Sequence, residues 1–293
     1  MSLATSTSFA RTPLRRDAEY TRGDDYVLYR GDSVQLLSTF DERTFDLIFA
    51  DPPYFLSNGG FTCKSGKRAP VEKGAWDASR GVEDDHRFTL EWLAACKRVL
   101  KPSGTLWVSG TQHVIFSVGF AMQRLGYKLL NTVTWYKPNA SPNLSCRYFT
   151  HSTELLLWAS PGGKGKLLHT FHYARMKAEN GGKQMRDVWN LPRAGEEELT
   201  ADGAGRVWSQ LTPRREEKAL GGHPTQKPLA LLERIITASC PEDGLVLDPF
   251  NGSGTTGVAA VKLGRRYVGV ELDLKYLELS RRRIEQAHRP PHH

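Results

Sequence analysis

The chain has little cysteine, no long apolar run and a shortage of acid, and each scarcity removes a class of protein. Its four cysteines, Cys63, Cys96, Cys146 and Cys240, lie far apart, without metal-ligand or disulfide-framework spacing. We therefore expect a reduced, intracellular, cytoplasmic chain that holds no metal. None of its apolar runs approaches the roughly 20 residues that cross a bilayer, so a membrane-spanning role is not expected. Asp and Glu number 32 against 40 Lys and Arg, a formal net charge of +8 with a pI near 9.3. A basic balance of that size points to a polyanionic partner. With 39% hydrophobic and 25% charged residues in 293, the composition is that of a soluble globular protein with ample core. No internal repeat is evident.

The excess charge is concentrated. Residues 137–186 carry eight Lys/Arg against Glu154 and Glu179, a local net of +6. Such concentration fits a surface that contacts phosphates, with Arg147, Lys164, Lys166 and Arg175 as candidate contacts. A smaller excess, Lys64, Lys67, Arg68 and Lys73 against Glu72, falls in a glycine-punctuated stretch between Phe55 and Asp85. A stretch that long without periodicity, next to a candidate pocket, reads as a mobile flap. The first residues, with Arg11, Arg15 and Arg16 among Ser and Thr, read as a flexible tail over 1–24.

The stretch that organises the rest is Asp51-Pro52-Pro53-Tyr54. It follows the apolar run Phe45 to Ala50, which reads as a buried parallel strand. Two prolines cannot continue a strand ladder, so the chain must leave the sheet there. A carboxylate, a carbonyl and an aromatic ring are thus presented together at a strand's C-terminal edge, where open α/β sheets place their ligands. This set suits methylation of an exocyclic amine on a base. If Asp51 accepts one N–H and the Pro52 carbonyl the other, the amine lone pair localises and can attack a methyl sulfonium, with Tyr54 stacked on the base. The base must first leave the duplex. A plain strand-ending turn is the alternative for four residues taken alone.

A second turn changes that balance. Leu245-Val246-Leu247 reads as a strand running into Asp248-Pro249-Phe250-Asn251-Gly252-Ser253-Gly254-Thr255, followed by a helix. Strand, Gly-x-Gly and helix make a nucleotide-binding turn, because only glycine lets the backbone approach a ligand so closely. An acid at the end of the next strand, Glu271, falls nineteen residues after Gly252, close to the spacing at which an acid binds ribose hydroxyls. The third glycine of the dinucleotide fingerprint has no match; Thr256 stands near its place. An adenosyl ligand without pyrophosphate fits better than NAD, and S-adenosylmethionine is such a ligand and a methyl donor. Strand–helix units recur at 26–40, 88–109, 113–136 and 245–288, and Glu154 to Ala159 adds a buried strand. The fold class is therefore α/β, a doubly wound, mostly parallel sheet, with an irregular insertion at 160–222.

Asp-Pro-Pro-Tyr, His223-Pro224-Thr225-Gln226-Lys227-Pro228 and the later glycine turn, in that order, resemble the amino-group DNA methyltransferases of the β type, in which the catalytic half precedes the cofactor half. The likeness covers roughly 25–286. The resemblance implies a Rossmann-like methyltransferase fold with a catalytic half at 25–159, a target-recognition insertion at 160–222 and a cofactor half at 223–288. Asp51, Pro52, Pro53 and Tyr54 would be catalytic. Asp32, Thr225, Lys227, Asp248, Phe250, Asn251, Gly252, Ser253, Gly254, Thr255 and Glu271 would bind S-adenosylmethionine, with Thr225 and Lys227 near its carboxylate. The stretch 139–154 is similar to the second adenine methyltransferases of DpnII-type restriction systems, which makes GATC a candidate site. DNA is the implied partner, and a homodimer is admitted because dimers are common in the family. Adenine-N6 methylation is the first reading and cytosine-N4 the second, since relatives of that kind usually have Ser where Asp51 stands. An RNA or protein acceptor, a DNA-binding protein that has lost catalysis and a nicotinamide dehydrogenase are the more distant alternatives.

Overall fold

A computed structural model describes residues 18–288, apart from 58–60, 65–66, 71–73, 138–139, 141, 164, 166–167, 191–197, 200–205 and 208–215. The strands are β1 (Glu19–Arg22), β2 (Tyr26–Arg30), β3 (Phe45–Ala50), β4 (Phe61–Lys64), β5 (Lys67–Pro70), β6 (Leu100–Gly110), β7 (Lys128–Tyr136), β8 (Thr153–Ser160), β9 (Val188–Asn190), β10 (Glu198–Leu199), β11 (Arg206–Val207), β12 (Leu245–Asp248) and β13 (Arg266–Glu271). The helices are α1 (Ser33–Thr39), α2 (Val82–Val99), α3 (Ile115–Arg124), α4 (Tyr173–Glu179), α5 (Leu229–Ser239), α6 (Thr255–Lys262) and α7 (Leu274–His288).

Nine strands form one sheet in the order β1-β2-β13-β12-β3-β6-β8-β7-β9. The five from β2 to β6 are mutually parallel, and β8 runs against both β6 and β7. Period-2 alternation sends each strand's side chains to two cores. Val27, Tyr29, Ile48, Ala50, Leu106 and Val108 face α1, α2 and α3. Tyr26, Leu28, Leu47, Phe49 and Trp107 face α5, α6 and α7. The sheet is thus covered on both sides, which is why its strands read as unbroken apolar runs. Asp46, at the start of β3, binds Lys101 Nζ and accepts the Leu245 N–H at 2.9 Å, fixing the register of β12 against β3.

From β12 the chain crosses by α6 to β13 on one side. From β3 it crosses by α2 to β6 on the other. Their carboxyl ends therefore open a crevice at the point where the winding reverses. The helices that flank it are well specified: Asp32 caps α1 by accepting the Gln35 N–H at 2.9 Å. α2 carries Glu83, Asp84 and Asp85 in its first turn and Lys97 and Arg98 in its last, which complements the helix dipole.

Two expectations change. The tail does not extend to residue 24, because Glu19–Arg22 pairs antiparallel with β2 as an edge strand. The 160–222 insertion is not irregular throughout. Its α4 packs on α5, and β9 extends the sheet beside β7, held by Trp189, which is buried against Trp107. The flap stretch contains the β4–β5 hairpin and a 3-10 turn at Ala75–Asp77. No helix among the described residues is long and apolar enough to cross a membrane.

Candidate active site

Asp51 follows the last residue of β3, and the two prolines after it turn the chain out of the ladder. Tyr54 then folds back under it: its hydroxyl donates to Asp51 Oδ1 at 2.6 Å and lies 2.9 Å from Ser109 Oγ, near the end of β6. Lys227 Nζ donates to Asp51 Oδ2 at 2.6 Å, stands 3.3 Å from the Tyr54 hydroxyl and lies 5.4 Å from the centre of the Tyr54 ring. Lys227 is 7% exposed. Glu154, at the start of β8, brings Oε2 within 3.8 Å of Lys227 and pairs with Lys137, just past the end of β7. Carboxylate and ammonium thus alternate along Asp51, Lys227, Glu154 and Lys137.

Electrostatics follow from that chain. Burial by itself would lower the Lys227 pKa, but the charges of Asp51 and Glu154 outweigh it and the group is raised. For Lys137 burial wins over Glu154 and the pKa is lowered. Tyr54 is raised well above 10, first by burial and then by the neighbouring carboxylates, so its hydroxyl stays protonated as a donor to Asp51. The structure differs here from the open ring face expected for Tyr54. The ring is 6% exposed, packed in the α1–α3 core with Lys227 over it, and it braces Asp51.

The glycine turn after β12 is built from its own neighbourhood. Asp248 accepts the Phe250 N–H at 2.9 Å and the Thr256 hydroxyl at 2.6 Å. Burial raises its carboxyl to about 7, against the pull of those two donors. Glu271 accepts the N–H groups of Gly252, Leu272 and Asp273 at 2.8–2.9 Å. Burial raises this group too, and the same donors oppose the rise. A carboxylate offers about four lone pairs, so Glu271 keeps one acceptor position, on Oε2, for a ligand. Gly254 has φ +74, and a Cβ there would run into Ser280 of α7. Asn251 is buried and accepts from the hydroxyls of Tyr267 and Ser280, so it shapes the turn from behind.

Both turns line one cavity of about 850 Å³. The structure brings Asp51, Pro53, Asp32, Thr225, Lys227, Asp248, Phe250, Asn251, Gly252, Ser253, Thr255 and Glu271 to its wall. Gly254 stands directly behind, as the N-cap of α6, and Pro52 and Tyr54 are buried beneath Asp51. Thr225 binds back to His223 Nδ1, and the His223 ring packs between Trp76 and Tyr276. Among the candidate phosphate contacts, Arg147 is exposed on the loop between β7 and β8, at the sheet edge that carries Asp51. Beside it Phe149 is 94% exposed. Arg175 is not brought to that edge. It lies in the first turn of α4, next to His172, which binds Thr237 and Ala238 at the far end of α5, and it pairs with Glu179 at 3.1 Å. Lys164 and Lys166 lie outside the described residues.

Sequence reading missed Ser109, Glu154, Lys137 and Asp77 around Asp51, and Arg283 behind the glycine turn. Arg283 is buried on α7 and donates to Ser253 O and Thr255 Oγ1. A signal existed only for Arg283, an arginine on the apolar stripe of α7 beside the buried Leu279, Ser280 and Ile284.

The Asp51 turn and the glycine turn thus share one switch-point crevice, and the chain belongs to the DNA methylase family, whose model matches residues 45–282. Within that family it is 47% identical over 266 residues to the Type II methyltransferase M2.DpnII of Streptococcus pneumoniae, covering 91% of this chain and 92% of that protein. The fold matches the M1.HpyAVI–SAM complex with a TM-score of 0.58 at 24% identity, over 88% of this chain and 98% of that one. It also matches the cytosine-N4-specific PvuII DNA methyltransferase with a TM-score of 0.65 at 20% identity, over 88% and 86%. Among the described residues no cluster of His, Cys, Asp or Glu could hold a metal ion.

Proposed function

We propose that this chain is a site-specific DNA methyltransferase that moves a methyl group from S-adenosylmethionine to the N6 amine of adenine, as the modification partner in a restriction–modification system. The observation that carries the reading is Asp51, held by Lys227 and Tyr54 on the wall of the cavity that the glycine turn also lines. The residues fit the cofactor. The cavity has the size of a nucleoside with an amino-acid tail, Glu271 keeps one acceptor position for a ribose hydroxyl, and Lys227 is a buried cation suited to a carboxylate. Thr225, Phe250 and Ser253 would complete its walls. When bound there, S-adenosylmethionine supplies an electrophilic methyl.

The chain's own residues prepare the amine. Adenine N6 is a weak nucleophile because its lone pair is delocalised into the ring. Each Asp51 oxygen already accepts one donor and has a lone pair left, so Asp51 can accept an amino hydrogen without losing Tyr54 or Lys227. The Pro52 carbonyl is the second acceptor. Drawing both hydrogens out of the ring plane localises the lone pair towards the methyl donor. The Lys227 ammonium balances the buried carboxylate, which would otherwise be costly to desolvate. The target base leaves the duplex to reach this depth.

Relatedness to M2.DpnII favours adenine over cytosine, and GATC, implied by the resemblance of residues 139–154 to the second adenine methyltransferases of DpnII-type systems, is the first site to test. The PvuII likeness keeps cytosine-N4 as the second reading, because the same fold serves it. Arg147 and its exposed aromatic neighbours are the DNA face we propose at the catalytic edge. Arg147→Ala lowers the salt slope of DNA binding by about one phosphate contact, whereas Arg175→Ala has the smaller effect. The same reading puts the protein in the cytoplasm with its DNA and admits a homodimer. The deciding experiment is transfer of labelled methyl to unmethylated DNA, followed by nucleoside separation by mass. N6-methyladenine is expected. N4-methylcytosine would keep the mechanism and change the substrate, and label on neither base would overturn the proposal.

A further inference from the structure

Residue 55 is the least comfortable part of the catalytic turn. Phe55 has φ +54, a left-handed conformation that bulky side chains rarely adopt and that persists only where surrounding bonds over-determine it. Two of those bonds come from one side chain. Asp77, 0% exposed, accepts the Tyr54 N–H at 2.8 Å through Oδ1 and the Leu56 N–H at 3.2 Å through Oδ2. It therefore grips the backbone on both sides of Phe55. Its Oδ2 also accepts the Ser57 hydroxyl at 3.0 Å, and its own carbonyl accepts the Ser57 N–H at 3.2 Å. Among the described residues no cation pairs with it, so this buried carboxylate is held largely by the segment that follows Tyr54. The next residue towards the N-terminus, Trp76, lines the cavity and stacks on His223 at 5.9 Å and 30°. One short turn thus touches the catalytic strand end on one side and the cofactor cavity on the other.

We propose that Asp77 is a positioning residue for methyl transfer: its carboxylate holds the strained turn that sets Tyr54, and through Tyr54 it aims Asp51. The proposal rests on Asp51 being the catalytic carboxylate. Asp77→Asn keeps one oxygen for the Tyr54 N–H but turns an NH2 towards the Leu56 N–H, so the turn relaxes while the shape of the side chain is preserved. A displacement of about 1 Å at a reacting group can cost on the order of 100-fold in rate.

The test measures kcat, KM for DNA and cofactor affinity for wild type, Asp77→Asn and Ser57→Ala on the full chain. Asp77→Asn is expected to lower kcat about 10- to 100-fold, with KM and cofactor affinity close to wild type. Ser57→Ala, which removes one donor and leaves the carboxylate, is expected to lower kcat several-fold with the same split. Unchanged kcat in Asp77→Asn, or losses in kcat and in both affinities by the same factor, would overturn the positioning role. If Asp77→Asn does not fold, Ser57→Ala decides: a selective fall in kcat supports the proposal and an unchanged kcat sinks it. Failure of the wild-type chain to methylate DNA would instead overturn the functional reading on which the proposal rests.

Discussion

The two turns that meet in the crevice are stabilised in different ways. The glycine turn after β12 is tied mainly by near neighbours: Asp248 reaches eight residues to Thr256 and Glu271 reaches nineteen back to Gly252. The Asp51 turn is tied by distant ones: Ser109 lies 55 residues from Tyr54, and Lys227 lies 176 from Asp51. The first is a scaffold built largely from the contiguous β12–α6–β13–α7 segment. The second exists only when several elements of the sheet have assembled around it. The glycine turn also holds two carboxyl groups whose pKa values burial raises, whereas the Asp51 turn holds a carboxylate balanced by a buried ammonium.

That contrast can be broken from either side. The largest effect is expected for Asp51→Ala, which lowers methyl transfer by on the order of 10³-fold while leaving cofactor binding nearly intact, as measured by single-turnover transfer and calorimetry. Loss of cofactor binding would mean that the two turns are not separable. Lys227→Met comes next. Removing one partner of a buried ion pair costs about 3–5 kcal/mol, read as a fall in unfolding free energy. Cofactor affinity also weakens if Lys227 serves both turns, as the proposed contact with the cofactor carboxylate requires; unchanged affinity would confine it to the Asp51 turn.

Gly254→Ala probes the local scaffold. Its φ of +74 and the proximity of Ser280 predict a loss of about 1–3 kcal/mol, with cofactor affinity reduced and turnover at saturating cofactor little changed. The smallest effect concerns pH. Burial lifts Asp248 from 3.8 to about 7, so the folded chain binds this proton more tightly than the unfolded chain does. The stability tied to that proton is complete below pH 3.8 and is lost as pH rises through about 7. Asp248→Asn flattens this decline by up to about 1.4 kcal/mol per pH unit, measured by denaturant melts of the two proteins between pH 5 and 8. Parallel slopes would show that Asp248 does not govern the turn's titration.

The same contrast explains what could be read in advance. β3 at 45–50, β2 at 26–30 and the glycine turn are visible in the sequence because period, proline and glycine act over a few residues. The spacing from Gly252 singles out Glu271 as a candidate ribose acceptor, and its three N–H donors make it a brace for the turn as well. Asp77 was invisible: it sits where periodicity dissolves, and its value lies in a fold that returns residue 77 to residue 54. Glu154 sits in the pairing of β7 and β8 and Lys137 just past the end of β7, and no local pattern announces an ion chain across strands. Charge count alone groups Arg175 with Arg147, because it takes no account of which edge of the sheet a residue occupies.

The reversal of β8 has a further consequence. Because β8 runs against β7, the two strands are joined by a single connection between Tyr136 and Thr153, and it emerges at the edge of the sheet that carries Asp51. The ion chain is anchored at its base by Lys137 and Glu154, while Arg147, Tyr148 and Phe149 ride at its exposed end. Natural variation can therefore rewrite or lengthen the tip without rethreading a strand. The hairpin's base is tied into the ion chain beside Asp51, and its exposed end can change length and sequence without disturbing that base.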